Sequence, residues 1–353
     1  MIVWVGLICW ILFVRLISGS LKNKKEKIFF LFMTGIALIL VMGCRYVNIE
    51  DRGDLNNYAR LYYNLAEIPW SEMFEFSEME PGYLILNKLC LKVFPWTQSI
   101  IFIEAVICVF FTFRFIYKFC NDVFIGVLCY LAQGLMIFEL TGFRQGIAIS
   151  LCLFAAEFIE KRKLIPFLLV VLLAATFHST AIVFLPLYFI SVFKPSFKMT
   201  ALYTLFFVVF VQIMPRLLSF GSDLTGSDYT EASSWGNFAG PAINIVLYIV
   251  AIVFLFITNK SKDIQTENAR NMKWNMCIFG LIIYVLRFIS LPFERVSFYF
   301  SGGAIAALPD AVLDSFDEYY RRIISVVMVA LLICLFFVRM RGTGAIDYRF
   351  FWS

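Results

Sequence analysis

The sequence predicts an all-α, polytopic integral membrane protein that forms a single domain over residues 1–353. Of its 353 residues, 61% are hydrophobic and only 16% are charged. The mean hydropathy is +0.83, which lies outside the range of soluble globular domains. Because a bilayer core of about 30 Å takes about 20 apolar residues per helix, the chain has room for about eleven to twelve membrane helices. The net charge of +5 comes mostly from Lys and Arg in short gaps between apolar runs, so we expect topology signals and no nucleic-acid binding.

The first two spans set the predicted topology. An apolar run from Ile2 to Ser18 lacks a basic segment before it, which predicts a retained first helix rather than a cleaved signal. Four lysines follow between positions 22 and 27, and so dense a positive loop predicts a cytoplasmic location. The second span, Ile28–Cys44, therefore leads to the outer face of the membrane.

A polar stretch, Arg45–Gly82, interrupts the apolar runs and is predicted to be a large periplasmic loop. It contains eight carboxylates, three arginines and no lysine. The apolar segment that follows, Tyr83–Phe94, reaches only about 18 Å as a helix and is too short to cross. We therefore predict an interfacial or half-inserted helix at the outer face. A second lysine-free and arginine-free stretch, residues 221–240, is predicted to be another periplasmic loop.

If Tyr83–Phe94 does not cross, the basic gaps at 161–163 and 260–273 both fall in the cytoplasm, as the positive-inside rule favours. The topology of the C-terminal part is less constrained by charge. Two basic pairs, Arg321 with Arg322 and Arg339 with Arg341, are alternative signals for the cytoplasmic side. Val296–Leu313 either crosses, which places both termini outside, or is re-entrant. The later predicted spans are Gln98–Tyr117, Asp122–Leu140, Gly146–Ile159, Leu164–Phe177, Ser179–Phe193, Thr200–Leu218, Ala242–Thr258, Cys277–Leu291 and Val296–Leu313.

This topology brings six ionisable residues from separate parts of the sequence to the outer membrane boundary. They are Arg45, Asp54, Glu80, Arg144, His178 and Arg295. An ionisable side chain at membrane depth costs several kcal/mol unless it is paired or faces water, so each is a functional candidate. Arg287, inside a predicted span, is another.

Each candidate also has a purely structural interpretation. The arginines at positions 45 and 144 could extend their side chains to the membrane surface or form salt bridges. Arg295 could form an ion pair with Glu294. Asp54 and Glu80 suit helix caps, and a lone His suits a helix–helix contact. As a base near neutral pH, however, His178 is the default choice. With one His and no clustered Cys, we expect no metal site and no cofactor.

Several arginines at the outer surface suit a phosphorylated ligand, because guanidinium binds phosphate oxygens in a bidentate manner and stays charged when desolvated. A lipid-linked pyrophosphate is such a ligand, since its headgroup lies at this depth while its tail remains in lipid. Tyrosines of the Arg45–Gly82 stretch suit stacking on sugar rings or an interfacial aromatic belt.

Between Gly43 and Phe300, a series of short motifs resembles the EpsG/Wzy-type O-antigen or exopolysaccharide polymerase family, in the same order. The motifs are Arg45-Tyr46, Asp54 with Tyr58, Glu80-Pro81-Gly82-Tyr83, Phe143-Arg144-Gln145, Phe177-His178-Ser179 and Glu294-Arg295. The resemblance implies a GT-C-like helical fold in the bacterial inner membrane. It also implies a metal-independent glycosyltransferase that moves a growing glycan from undecaprenyl pyrophosphate to the non-reducing end of a lipid-linked repeat unit, with a chain-length regulator protein as a further candidate partner.

The site that follows from this resemblance divides into two groups of residues. His178, Asp54 and Glu80 are the candidate catalytic residues, while Arg45, Arg144 and Arg295 are the candidate pyrophosphate ligands. Gln145, Tyr58 and Arg287 are further candidates. Two alternatives stay open: a flippase for lipid-linked glycan, which would need charges along a path through the bilayer, and an O-antigen ligase.

Overall fold

The computed structural model describes residues 1–47, 54–225, 239–257, 264–315, 318–342 and 347–352. These residues form seventeen α-helices, a few short 3₁₀ turns and no β-strand. The α-helices are α1 (Ile2–Ile17), α2 (Lys24–Gly43), α3 (Asp54–Leu65), α4 (Met73–Phe76), α5 (Pro81–Val93), α6 (Gln98–Phe119), α7 (Val123–Ala132), α8 (Leu135–Glu139), α9 (Phe143–Glu160), α10 (Leu164–Ala175), α11 (Pro186–Ile190), α12 (Phe197–Thr225), α13 (Ala239–Ile257), α14 (Ile264–Val285), α15 (Pro292–Ser297), α16 (Gly302–Ser315) and α17 (Glu318–Gly342).

Three of the described helices are long and apolar enough to cross a membrane by length and composition: α2, α6 and α17. Several shorter apolar helices accompany them, among them α1, α7 and α10. The predicted all-α, polytopic membrane architecture is confirmed.

Helix α9 is the central element of the bundle. Fifteen of its eighteen residues are buried, as expected for a helix whose middle turns are apolar on all sides. It packs against α6 and α10, and α6 also packs against α2. A second group, α13, α14 and α16, packs together and meets α9 through α14. The first turn of α9 is thereby held at the middle of one end of the bundle.

Residues near both termini also lie at the end of the bundle that holds the first turn of α9. The backbone N–H of Tyr46 donates to the Arg349 carbonyl at 2.8 Å, and the Phe351 N–H donates to the Cys44 carbonyl at 3.0 Å. Near the start of α1, the rings of Trp4 and Tyr348 lie 5.6 Å apart. We call this the site end. At the opposite lysine end, which carries Lys27, Lys118 and Lys161, Lys27 Nζ donates to the Asn121 carbonyl at 3.1 Å.

Two of the predicted continuous spans are broken. Asp122–Leu140 divides into α7 and α8, because Gly134 adopts a left-handed conformation with φ of +83°, which glycine accepts at little cost. Ser179–Phe193 divides into a 3₁₀ turn, Ser179–Phe184, and α11. Pro186 is at the start of α11, where its missing N–H costs nothing.

The second half of the chain differs from the prediction in two further places. Val296–Leu313 divides between α15, a 3₁₀ turn and α16, which contains Pro309. Helix α14 begins at Ile264, so most of the predicted basic loop 260–273 is helical. Lys273 therefore lies on α14, where its Nζ is 2.5 Å from Asp310 Oδ2.

The predicted short helix Tyr83–Phe94 corresponds to α5, and the Arg45–Gly82 stretch contains α3 and α4. Lys88 of α5 is buried and donates to the carbonyl of Leu65 at 2.6 Å. A cation at the last carbonyls of α3 satisfies acceptors that a helix end leaves open. Of the predicted second loop, residues 226–238 lie outside the described residues, as do 48–53 of the first loop.

Candidate active site

Glu80 joins three distant parts of the chain at the site end. Its Oε2 pairs with Arg144 Nη1, and its Oε1 lies 2.8 Å from His178 Nδ1. Glu80 is the residue before α5, Arg144 lies in the first turn of α9, and His178 follows α10. Three of the predicted site residues therefore meet around one carboxylate, and we call them the Glu80 cluster.

The Pro81-Gly82 pair explains why Glu80 reaches this position. Pro81 starts α5, and the Gly82 N–H donates to the Thr176 carbonyl at 2.8 Å. A Cβ on Gly82 would lie 2.2 Å from Thr176 Oγ1, so only glycine permits this approach. The contact presses the start of α5 against the end of α10, and the Ser179 N–H then also donates to Glu80 Oε1, at 3.3 Å.

Arg144 is held from the opposite side by Tyr58 of α3. Its Nε donates to the Tyr58 hydroxyl at 3.4 Å, and its Cζ lies 5.7 Å from the centre of the Tyr58 ring. The Tyr58 ring in turn stacks on Phe143, with centroids 5.2 Å apart and planes at 14°. A helix of the polar stretch therefore forms one wall of the cluster.

The electrostatics of the cluster keep Glu80 ionised. Burial by itself raises the pKa of this carboxyl, but the hydrogen bond with His178 and the charge of Arg144 outweigh it and lower the pKa to about 2. A carboxylate beside Nδ1 favours the tautomer in which Nδ1 carries the proton, which leaves Nε2 as an acceptor. The His178 side chain remains 23% exposed, so a ligand can reach part of the ring.

Gln145 and Arg295 extend the site toward α15. The Gln145 side chain donates to the Arg295 carbonyl at 3.2 Å, and the Arg295 side chain lines a cavity of about 350 Å³. Glu294, which the sequence offers as a partner for Arg295, pairs with Arg287, whose Nη2 lies 3.0 Å from Glu294 Oε2. The residue predicted inside a span, Arg287, thus fixes a carboxylate next to Arg295.

Arg45 does not join the Glu80 cluster. Arg45 is 7% exposed, and its Cζ lies 5.4 Å from the centre of the Phe143 ring. Burial lowers the pKa of its guanidinium to about 10, although the charge of Glu104 opposes the shift. Arg45 therefore supports the residue before Arg144. Asp54 is the first residue of α3, and its side chain lies outside the described part of the chain.

A family model described as the EpsG family matches residues 27–351 of the sequence. The chain belongs to the EpsG family. The predicted family resemblance is thereby confirmed, and membership indicates a multi-pass membrane protein with a polysaccharide-polymerase type of function. Searches of curated proteins and of solved structures return no match.

Two carboxylates that the sequence analysis missed lie behind the cluster of this EpsG-family chain. Glu104 of α6 and Glu139 of α8 are fully buried. Both approach Gly146: a Cβ there would lie 3.4 Å from Glu104 Oε1 and 3.1 Å from Glu139 Cγ. Tyr130 donates to Glu139. Their signal was present, since each is an acidic residue inside an apolar run, which is costly unless it has a partner.

In chemical terms, the EpsG-family site combines a carboxylate-bound imidazole with guanidinium groups on a cavity wall. An imidazole with one nitrogen fixed by a carboxylate is suited to accept a proton. Guanidinium groups are suited to stabilise negative charge on phosphate oxygens. The arrangement supports group transfer from a phosphorylated donor to a hydroxyl acceptor.

Proposed function

We propose that the chain is a glycosyltransferase that extends a polysaccharide. It moves a growing glycan from undecaprenyl pyrophosphate to the non-reducing end of a lipid-linked repeat unit, at the periplasmic face of the bacterial inner membrane. The observation that carries this proposal is the Glu80 cluster, in which one carboxylate binds both His178 and Arg144. Family membership supports the polymerase class.

In this reaction His178 is the general base. Its Nε2 removes the proton from the acceptor hydroxyl as that oxygen forms a bond to the anomeric carbon of the donor. Glu80, with its pKa lowered to about 2, is too weak a base for this step at neutral pH. Glu80 instead orients the ring and stabilises the imidazolium that forms.

The bond that breaks joins the anomeric carbon to the diphosphate oxygen, and undecaprenyl pyrophosphate departs with the electron pair. Arg295, on the wall of the cavity, and Arg144, held between Glu80 and Tyr58, compensate the charge that develops on the leaving group. Diphosphate is a capable leaving group once its charge is compensated. We therefore propose that the arginines supply this compensation without a metal ion, and initial rates in EDTA should equal those in buffer.

Deletion of the gene tests the polymerase assignment against its alternatives. We expect surface glycan reduced to single repeat units, seen as one short band on a gel of surface polysaccharide. Loss of all surface glycan would instead identify a flippase, and accumulation of free long polymer would identify a ligase. Either of these two results would overturn the proposal.

Cysteine labelling tests the proposed orientation. In a background with the exposed Cys9 and Cys334 replaced by Ala, Tyr63→Cys of α3 at the site end and Lys25→Cys at the lysine end provide matched exposed positions. We expect a membrane-impermeant maleimide to label the first variant in intact cells or spheroplasts, and the second only after the membrane is opened. The reverse pattern would place the Glu80 cluster in the cytoplasm.

A further inference from the structure

A cavity lies along the seam between α2 and α6, two helices that pack against each other and are long and apolar enough to cross a membrane. It measures about 540 Å³. Its lining residues lie between positions 24 and 39 of α2 and between positions 106 and 117 of α6. Gly35 of α2 helps to leave this space, since the nearest atom to a Cβ there would be Phe113 Cδ2, at 3.5 Å. We call it the seam cavity.

The seam cavity opens on an apolar surface. Phe32, Ile36 and Phe110 line it and are between 41% and 62% exposed. Exposed apolar side chains on helices that cross a membrane face lipid tails. The cavity extends about 22 Å along α2, at about 1.5 Å per residue, compared with about 15 Å for one half of the bilayer core. It is therefore long enough for an acyl chain of one leaflet.

The charged groups of the seam cavity lie at one of its ends. Helices α2 and α6 run in opposite directions, because the residues after α2 lie beside the start of α6, where Gln98 Nε2 donates to the Arg45 carbonyl at 3.0 Å. Lys24, in the first turn of α2, therefore lies at the same end as Arg114 and Tyr117, which come late in α6. This is the lysine end of the bundle.

The charge around this end of the cavity is positive. Two cations and no carboxylate are among the described residues that line it. The Arg114 guanidinium contacts Glu157 at 2.5 Å, but Lys161 shares that carboxylate at 3.5 Å, so the three side chains together keep a positive charge. Lys24 is exposed and belongs to a run of four lysines between positions 22 and 27, in which Glu26 is the one acidic residue. An anionic group is therefore favoured here.

The opposite end of the same seam has no such charge. A second cavity, of about 370 Å³, lies there between the end of α2 and the start of α6. The part of the chain that the structure describes lines it with uncharged residues, among them Cys44, Gln98 and Phe351. A lipid in the seam therefore has its phosphate at the lysine end. The lipid-linked donor of the proposed function has the opposite polarity, because its diphosphate belongs beside the Glu80 cluster.

We propose that the seam cavity binds one anionic phospholipid, with its phosphate at Lys24 and Arg114 and an acyl chain between α2 and α6. Basic pockets between membrane helices are suited to anionic lipid headgroups. Glu157 takes the Nε and Nη2 groups of Arg114, at 2.5 Å and 3.1 Å, and a guanidinium has five N–H donors. The lipid site does not require the proposed function. With the proposed orientation, the lipid belongs to the cytoplasmic leaflet.

Lipid binding to the purified full-length protein in detergent tests this site. Native mass spectrometry counts the bound lipids, and a titration gives their affinities. The probes are phosphatidylglycerol, which is anionic, and phosphatidylethanolamine with the same acyl chains, which is zwitterionic. We expect the wild type to bind phosphatidylglycerol at least about fivefold more tightly, the effect typical of one basic residue at a lipid surface.

The headgroup contact is tested by two neighbouring lysines. Lys24→Gln should weaken binding of phosphatidylglycerol about fivefold, with a smaller effect on phosphatidylethanolamine. Lys25→Gln is the matched control, because Lys25 is also exposed in the first turn of α2 but does not line the cavity. It should bind both lipids as the wild type does.

The acyl-chain contact is tested by filling the seam cavity. Ile36→Trp places a large ring in it and should cause loss of the bound lipid of either kind. Leu40→Trp adds the same ring one turn later, at an exposed position outside the cavity lining, and should change nothing. Size-exclusion profiles identify any variant that fails to fold. If Ile36→Trp is such a variant, Val106→Trp on the α6 wall replaces it, with the same expected loss.

Three results would overturn the phospholipid site, whether or not the protein polymerises glycan. Equal affinity of the wild type for the two lipids, or equal losses in Lys24→Gln and Lys25→Gln, would show an unselective lipid layer. A dimer in the mass spectrum that dissociates in Ile36→Trp would show that a second copy of the chain covers the seam. Tighter binding of undecaprenyl phosphate than of phosphatidylglycerol would assign the seam to a polyprenyl carrier.

Discussion

Helix α9 contributes to two clusters of similar composition, one at its first turn and one at its last. At the site end, Glu80 binds Arg144 and His178. At the lysine end, Glu157 binds Arg114 at 2.5 Å and Lys161 at 3.5 Å. Arg144 and Glu157 are thirteen residues apart, or about 20 Å along the helix. In both clusters one carboxylate holds an arginine and a second basic side chain.

The surroundings distinguish the two clusters. The side chains of Arg114 and Lys161 are 48% and 37% exposed, whereas those of Arg144 and His178 are 24% and 23% exposed. A cavity also adjoins the lysine-end cluster, since Arg114 and Lys24 line one whose other walls are almost entirely apolar, while Gln145 connects Arg144 to the cavity beside Arg295. Charge pairing alone therefore does not identify a functional site. The feature that distinguishes the site end is a histidine bound to the carboxylate.

The largest expected effect comes from breaking the two clusters in parallel. His178→Ala should reduce the initial rate of glycan elongation by about 10²–10⁴-fold, the usual contribution of a general base. Glu80→Gln should cause a loss of at least about tenfold, because the amide no longer holds the ring in its tautomer. The measurement is incorporation of labelled repeat units by purified protein in detergent or vesicles.

Glu157→Gln is the matched control, since it neutralises a carboxylate with two cationic partners on the same helix. We expect elongation within about twofold of wild type, with equal amounts of protein in the membrane. Equal losses in Glu80→Gln and Glu157→Gln would mean that both clusters act on folding, and the assignment of the site end would be wrong.

A smaller effect on elongation is expected when arginine is replaced by lysine, which keeps the positive charge. Arg144 uses two different nitrogens, Nη1 toward Glu80 and Nε toward Tyr58, and lysine has no such fork. Arg144→Lys should lower elongation by about tenfold, the loss of one charged hydrogen bond. Arg114→Lys makes the same change at the lysine end and should leave the rate unchanged. A fully active Arg144→Lys would show that charge alone suffices.

The convergence of Glu80, Arg144 and His178 was predictable from sequence because each follows or precedes an apolar run, and counting runs fixes the end of the bundle at which each lies. The same count predicted an all-helical bundle with α2, α6 and α9 close to their observed bounds. Topology thus determines which residues share an end of the bundle.

The partners of individual charged side chains, and how deeply those side chains are buried, were not predictable from the count of apolar runs. Basic residues beside apolar runs are expected at the solvated membrane surface, yet Lys88 is buried against α3 and Arg339 is buried with a hydrogen bond to Asn244. The break at Gly134 was missed because a single glycine in an apolar run is compatible with a continuous helix. The need for glycine at position 134 is evident only from its contact with Arg339, which lies about 200 residues later in the chain.

The smallest expected effect is on stability and depends on pH. The pKa of Glu80 is lowered from 4.5 to about 2 in the folded protein, so its ion pairs contribute fully above pH 4.5 and are lost as the pH falls toward 2. Wild type should therefore melt a few degrees above Glu80→Gln at pH 7, and this gap should narrow below pH 4.5. Glu318→Gln is the control, because the Glu318 side chain, which pairs with Arg322, is 78% exposed. Exposed pairs contribute little to stability, so this variant should melt at the wild-type temperature. A constant gap between wild type and Glu80→Gln from pH 7 to pH 3 would show that the carboxylate charge does not stabilise the cluster.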